Sequence, residues 1–69
     1  MKYSNEDKRK EAMTILAKIE SCNSESELEE VDDYLDSCLL CGCIFKKDYK
    51  YLSEKIDDQI MTLVEKGLI

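Results

Sequence analysis

With 69 residues and 8.0 kDa the chain has room for one small domain, because a polypeptide of this size buries only about 60% of its unfolded surface, and a large enclosed enzyme cleft is not expected. Sixteen carboxylates against ten Lys and Arg set the net charge at -6 and the isoelectric point near 4.5, which disfavours direct binding to DNA, RNA or an anionic membrane and turns long-range attraction toward basic partners. The absence of His, Trp and Pro, with only two Gly, removes the commonest general base, the commonest metal ligand and the glycine-rich phosphate loops together.

The opening stretch from Met1 to Asp7 is polar throughout, which predicts no secretion signal and a cytoplasmic protein. The longest apolar run is short and broken by Gly42, far below the ~20 residues of a membrane span. In a reducing cytosol the four thiols, Cys22, Cys38, Cys41 and Cys43, are expected to stay unpaired.

Without proline, helices run uninterrupted, and a 3.6-residue period occurs three times. Ser4 with Asp7 reads as a capping box ahead of the stripe Ala12, Ile15, Leu16 and Ile19, which predicts a first helix over about residues 5–20. Ser21, Cys22, Asn23 and Ser24 interrupt the pattern. Ser24 with Glu27 offers a second box before Leu28, Val31, Leu35, Cys38 and Leu39, which predicts a second helix over about residues 25–41. Gly42 supplies a left-handed stop. Tyr49, Leu52, Ile56, Ile60, Leu63 and Val64 form the third stripe, and that helix ends near Lys66 with Gly67 behind it. Short connections favour antiparallel neighbours, so the expected fold is all-α, a single-domain three-helix bundle running up, down and up.

The segment Gly42-Cys43-Ile44-Phe45-Lys46-Lys47-Asp48-Tyr49-Lys50-Tyr51-Leu52 resembles a helical hairpin of short bacterial and phage helical domains, the SHOCT type among them. There a Gly, one residue, an Ile, a capping Ser or Thr, a charged run, an aromatic and a Leu follow in order. This chain departs from the pattern by placing Phe45 where the capping hydroxyl stands. The resemblance implies a tight helix–helix connection with Ile44 turned inward, and it implies no activity.

The charge is concentrated in the middle of the chain. Between residues 20 and 41 stand Glu20, Glu25, Glu27, Glu29, Glu30, Asp32, Asp33 and Asp36 without one Lys or Arg. At 100° per residue, Leu28, Val31, Leu35 and Leu39 share one face of the second helix, and the acids fill most of the remaining circumference. The helix dipole favours Glu25 and Glu27 in the first turn but gives Asp36 no support, and like charges such as Glu25 with Glu29 or Asp32 with Asp36 repel at i,i+4. On the solubilising reading, Lys8, Arg9 and Lys10, or Lys46, Lys47 and Lys50, relieve this across the bundle at little net gain. On the functional reading, a charge roughly every 2–3 Å along the helix approaches the ~1.7 Å spacing of a nucleic-acid duplex. Small acidic phage proteins that block host nucleases, some anti-CRISPR proteins among them, are similar to this chain in size, sign and lack of catalytic residues, a similarity of composition alone.

Several apolar side chains have no place in the predicted core. Leu40 projects away from it beside Glu29, Asp33 and Asp36, Tyr34 lies at its margin, and Tyr51 and Met61 fall off the third stripe. With Leu68 and Ile69 they are candidate contacts for a partner or for a homodimer, which also adds stability to a small core. Three thiols, Cys38, Cys41 and Cys43, lie within six residues, but helical placement and the lack of knuckle-type turns make them a weak zinc set, and no cofactor is expected.

These observations lead to one expectation. The chain is a non-enzymatic acidic binding protein, of the kind phages and mobile elements encode, that occupies the basic surface of a host nucleic-acid-handling protein. Glu25, Glu29, Glu30, Asp32, Asp33 and Asp36 compete with phosphates, and Tyr34 and Leu40 anchor the contact. The first alternative is a structural or regulatory subunit packing through Met61, Tyr51 and Leu68, and the second is a zinc-stabilised module.

Overall fold

The computed structural model describes residues 4–69; residues 1–3 of the polar opening stretch lie outside them. Three helices follow in order: α1 over Asn5–Ser21, α2 over Glu25–Cys41 and α3 over Lys46–Glu65. The expected all-α three-helix bundle is the fold.

Each boundary has a local cause. The Ser4 hydroxyl accepts from the Asp7 amide at 3.1 Å while the Asp7 carboxylate accepts from the Ser4 amide at 3.3 Å, which satisfies two donors of the first turn of α1. At α2 only half of that box forms. The Ser24 hydroxyl accepts from the Glu27 amide, but the Glu27 carboxylate reaches one residue further back, to the Asn23 amide at 3.4 Å. Gly42 ends α2 at φ 75° and ψ 22°, a left-handed conformation that a residue with a Cβ adopts at a cost. The Cys43 amide then closes on the Cys38 carbonyl at 2.8 Å. Phe45 occupies the cap position of α3 without a side-chain hydrogen bond. The hairpin nevertheless turns where the sequence places it, with Ile44 buried.

Ile15, Ile19, Leu28, Leu35, Leu52 and Leu63 are fully enclosed, and Val31, Cys38, Ile44, Ile56 and Cys22 complete the core. Not every stripe residue reaches the core. Ala12, Leu16, Leu39, Tyr49 and Ile60 are only half-buried. Val64 is exposed because α3 centres Leu52, Ile56 and Leu63 on the core, which leaves Val64 about 100° to one side of Leu63.

Lys8 lies over the Phe45 ring at one end of the molecule, and the Gln59 side chain donates to the Cys22 carbonyl oxygen at the other. Thus α1 and α3 run in the same direction and α2 runs against both. The rod measures 42 × 16 × 16 Å, so every helix keeps one long face to solvent. Among the described residues no helix is long and apolar enough to cross a membrane.

Candidate functional site

The exposed side of α2 is the candidate site. Leu28, Val31, Leu35 and Cys38 turn toward the other helices, and that rotation alone fixes where the acids point. Glu25, Glu27, Glu29, Glu30, Asp33 and Asp36 are exposed, and Asp32 is half-buried.

No lysine or arginine of the described residues pairs with any of these carboxylates. The ion pair among the described residues joins Lys10 to Glu6 at 3.5 Å within α1. Of the cations named as sources of relief, Lys10 pairs with Glu6, Lys8 and Lys47 lie over the Phe45 ring at 5.0 and 5.7 Å from its centre, and Lys46, Lys47 and Lys50 line a hollow of α3 with Glu54 and Asp57, without an ion pair to any acid of α2. Lys18 is the cation closest in kind to a counter-charge, lining a shallow hollow with Glu30, Val31 and Tyr34, but it lies over the Tyr34 ring at 4.8 Å.

Repulsion within the face is visible at Asp32. Partial burial, and then the neighbouring charges of Asp36, Asp33 and Asp57, hold its carboxyl above the ordinary carboxylate range. Asp57 belongs to α3. With Glu25, Glu29 and Asp32 it rims a groove of about 270 Å³ whose floor is Leu28, Ile56 and Ile60. The acidic rim therefore reaches Asp57 on α3, where Lys46, Lys47 and Lys50 on its other side bound it. Asp57 was not singled out from the sequence, where it reads as one acid of an ordinary surface turn; only the rotational setting of α3 brings it beside Asp32.

Two side chains of the predicted contact set are already engaged within the chain. The Tyr34 hydroxyl donates to the Glu11 carboxylate, which raises its phenol well above the usual range. Asp36 accepts from the Tyr49 hydroxyl at 2.7 Å. Leu40, at 87% exposure, touches no core and stands at the end of the acidic face.

The thiols do not assemble. Cys38 is buried and its Sγ points toward Glu11 at 3.8 Å, Cys43 is half-buried, and Cys41 faces solvent. Cys22 is buried at the opposite end, donating to the Lys18 carbonyl at 3.0 Å. Among the described residues no group of three or more His, Cys, Asp or Glu side chains is arranged to hold a metal ion.

In comparisons with family models, curated proteins and solved structures, no match to this chain is found.

Proposed function

We propose that this chain is a non-enzymatic binding protein that lays the α2 face on the basic surface of a nucleic-acid-handling protein and competes there with phosphates. The observation that carries the reading is the set of carboxylates from Glu25 to Asp36, all but Asp32 exposed, with which no cation of the described residues forms an ion pair. A solubilising face needs no such segregation, since natural surfaces intersperse both signs. Here the like charges destabilise the helix they stand on, a cost that binding to a basic groove offsets.

In this reading the protein is phage or mobile-element encoded, acts in the host cytoplasm as an inhibitor of a defence or regulatory protein, touches no nucleic acid itself, and self-associates. Leu40 supplies the apolar contact at the edge of the face. The rim of the groove between α2 and α3 brings Asp57 into the same contact.

The test is competition. A basic nuclease loaded with a labelled duplex is titrated with this protein at low and at high ionic strength. Displacement of the duplex that fades steeply with salt supports the reading, and reversal of Asp32, Asp33 and Asp36 to Lys abolishes it. Displacement indifferent to salt, or undiminished by the reversal, overturns it in favour of a subunit that packs through Met61, Tyr51 and Leu68, which are exposed as that alternative requires.

A further inference from the structure

On the side of the rod away from α2, the helices α1 and α3 enclose an open groove of about 310 Å³ that is almost wholly apolar. Ala12, Leu16 and Leu52 form its floor. Met13 from α1 and Tyr51 from α3 stand on its two banks, 72% and 49% exposed. Met13 and Tyr51 are not isolated on the surface: with Ala12, Leu16 and Leu52 they form one contiguous apolar patch, the kind of surface that marks a contact.

The charges at one end of the groove say what fits. Arg9 lines it on the α1 side and Asp48 on the α3 side, each one helical turn before the apolar residue of its own bank. Across this groove the two opposite charges make no ion pair within the chain. Because α1 and α3 run in the same direction, a two-fold axis parallel to the helices sets α1 of one copy opposite α3 of the other, at the same height. That one rotation places Arg9 against the partner's Asp48 twice and Met13 against the partner's Tyr51 twice. The thioether then meets an aromatic ring, a favourable pairing, on the ring side that Lys55, at 5.3 Å from the ring centre, leaves open. Two turns further along, Glu20 and Asp58 occupy the corresponding positions of the banks and mark where the contact ends.

We infer that the groove between α1 and α3 is the interface of a two-fold symmetric, parallel homodimer, closed by reciprocal Arg9–Asp48 ion pairs around a Met13–Tyr51 centre. The inference rests on the self-association named in the proposed function and identifies its face; it does not depend on nucleic-acid competition. Its consequence is that both α2 faces point outward, so one dimer presents two anionic surfaces and engages a two-fold partner with avidity. The acids of α2 lie on the far side of the rod, so the net charge of -6 on each copy, with Glu20 and Asp58 at the edge of the face, weakens the contact chiefly at low ionic strength.

Sedimentation equilibrium of the full chain in reducing buffer, over a wide range of concentration, is the test. The expected mass approaches twice the 8.0 kDa of one chain. Met13→Lys and Arg9→Asp are expected to raise the dimer dissociation constant by about tenfold or more, with helicity by circular dichroism unchanged. Both substitutions lie on α1 and leave the first turn of α3 intact. Adding Asp48→Arg to Arg9→Asp restores association. A chain that stays at 8.0 kDa throughout overturns the inference together with the self-association behind it. A dimer that survives Met13→Lys and Arg9→Asp, or a folded charge swap that does not re-associate, overturns this interface alone.

Discussion

The Tyr49 hydroxyl donates a 2.7 Å hydrogen bond to Asp36 Oδ1, joining the first turn of α3 to the C-terminal half of α2. A carboxylate in that half of a helix meets the negative end of the dipole, and the phenol from the neighbouring helix compensates for it. The phenol brings no cation to the site, so the bond leaves Asp36 part of the acidic face.

That bond and its counterpart from Tyr34 to Glu11 predict a split tyrosine titration. Both phenols are held above their ordinary range, chiefly by donating to a carboxylate. A raised phenol stabilises the fold fully below the unfolded value and loses that contribution as pH rises through the folded one. Ultraviolet absorbance should therefore show two tyrosines ionising late, coincident with alkaline unfolding, and Tyr49→Phe should remove one of them. Ionisation of all tyrosines together in the ordinary range contradicts both hydrogen bonds.

Much of this architecture is legible in the residues. Ser4, Ser24, Gly42 and Gly67 mark helix ends because capping and left-handed backbone are local chemistry, and the stripes of α1 and α2 specify their buried faces. What local chemistry does not contain is how far each helix is rotated about its axis and how long its neighbours are. Val64 is exposed although it continues a predicted stripe, since the rotation of α3 that turns Leu52, Ile56 and Leu63 inward leaves it about 100° to one side. The same unknown hides Asp57 beside Asp32 and Tyr49 beside Asp36. The acidic face itself is legible because seven acids without a cation leave α2 no arrangement in which they are dispersed.

Core and surface positions of α2 should respond very differently to truncation. Leu35 is fully enclosed, so Leu35→Ala is expected to cost about 2–5 kcal/mol, comparable to the whole stability of a bundle this small. Leu40→Ala is expected to stay within about 0.5 kcal/mol, since its side chain is 87% exposed. Chemical denaturation distinguishes them; a destabilising Leu40→Ala contradicts its placement outside the core.

Asp32 gives a pH dependence of known sign. Because its carboxyl is raised in the folded state, its charge opposes folding above that value and the penalty disappears as pH falls below the unfolded value. Asp32→Asn is therefore expected to raise the melting temperature at about pH 7, by a few tenths of a kcal/mol in stability, and to be neutral at about pH 3. Equal effects at both values contradict the raised carboxyl, whose first cause is partial burial and whose second is the neighbouring acids.

The thiols should fall into two classes. Cys41 is exposed and Cys43 half-buried, whereas Cys22 and Cys38 are buried and their thiols are pushed up chiefly by that burial. A chromogenic disulfide reagent at neutral pH is expected to label Cys41 first, Cys43 next, and the other two only on unfolding. Rapid labelling of Cys22 or Cys38 in the native protein contradicts the core described above.

The central claim is that the carboxylates of α2 repel one another and are not held by cations of their own chain. Thermal melting as a function of sodium chloride tests it without any partner. Between about 10 mM and about 500 mM the Debye length falls from about 30 Å to a few ångströms. Relief of about 1 kcal/mol of repulsion raises the melting temperature of a domain this size by about 4–8 °C. The account predicts such a rise, and predicts that it shrinks when Glu29, Asp32 and Asp33 are replaced by their amides. A melting temperature that falls with salt, the signature of carboxylates clamped in ion pairs, would contradict it.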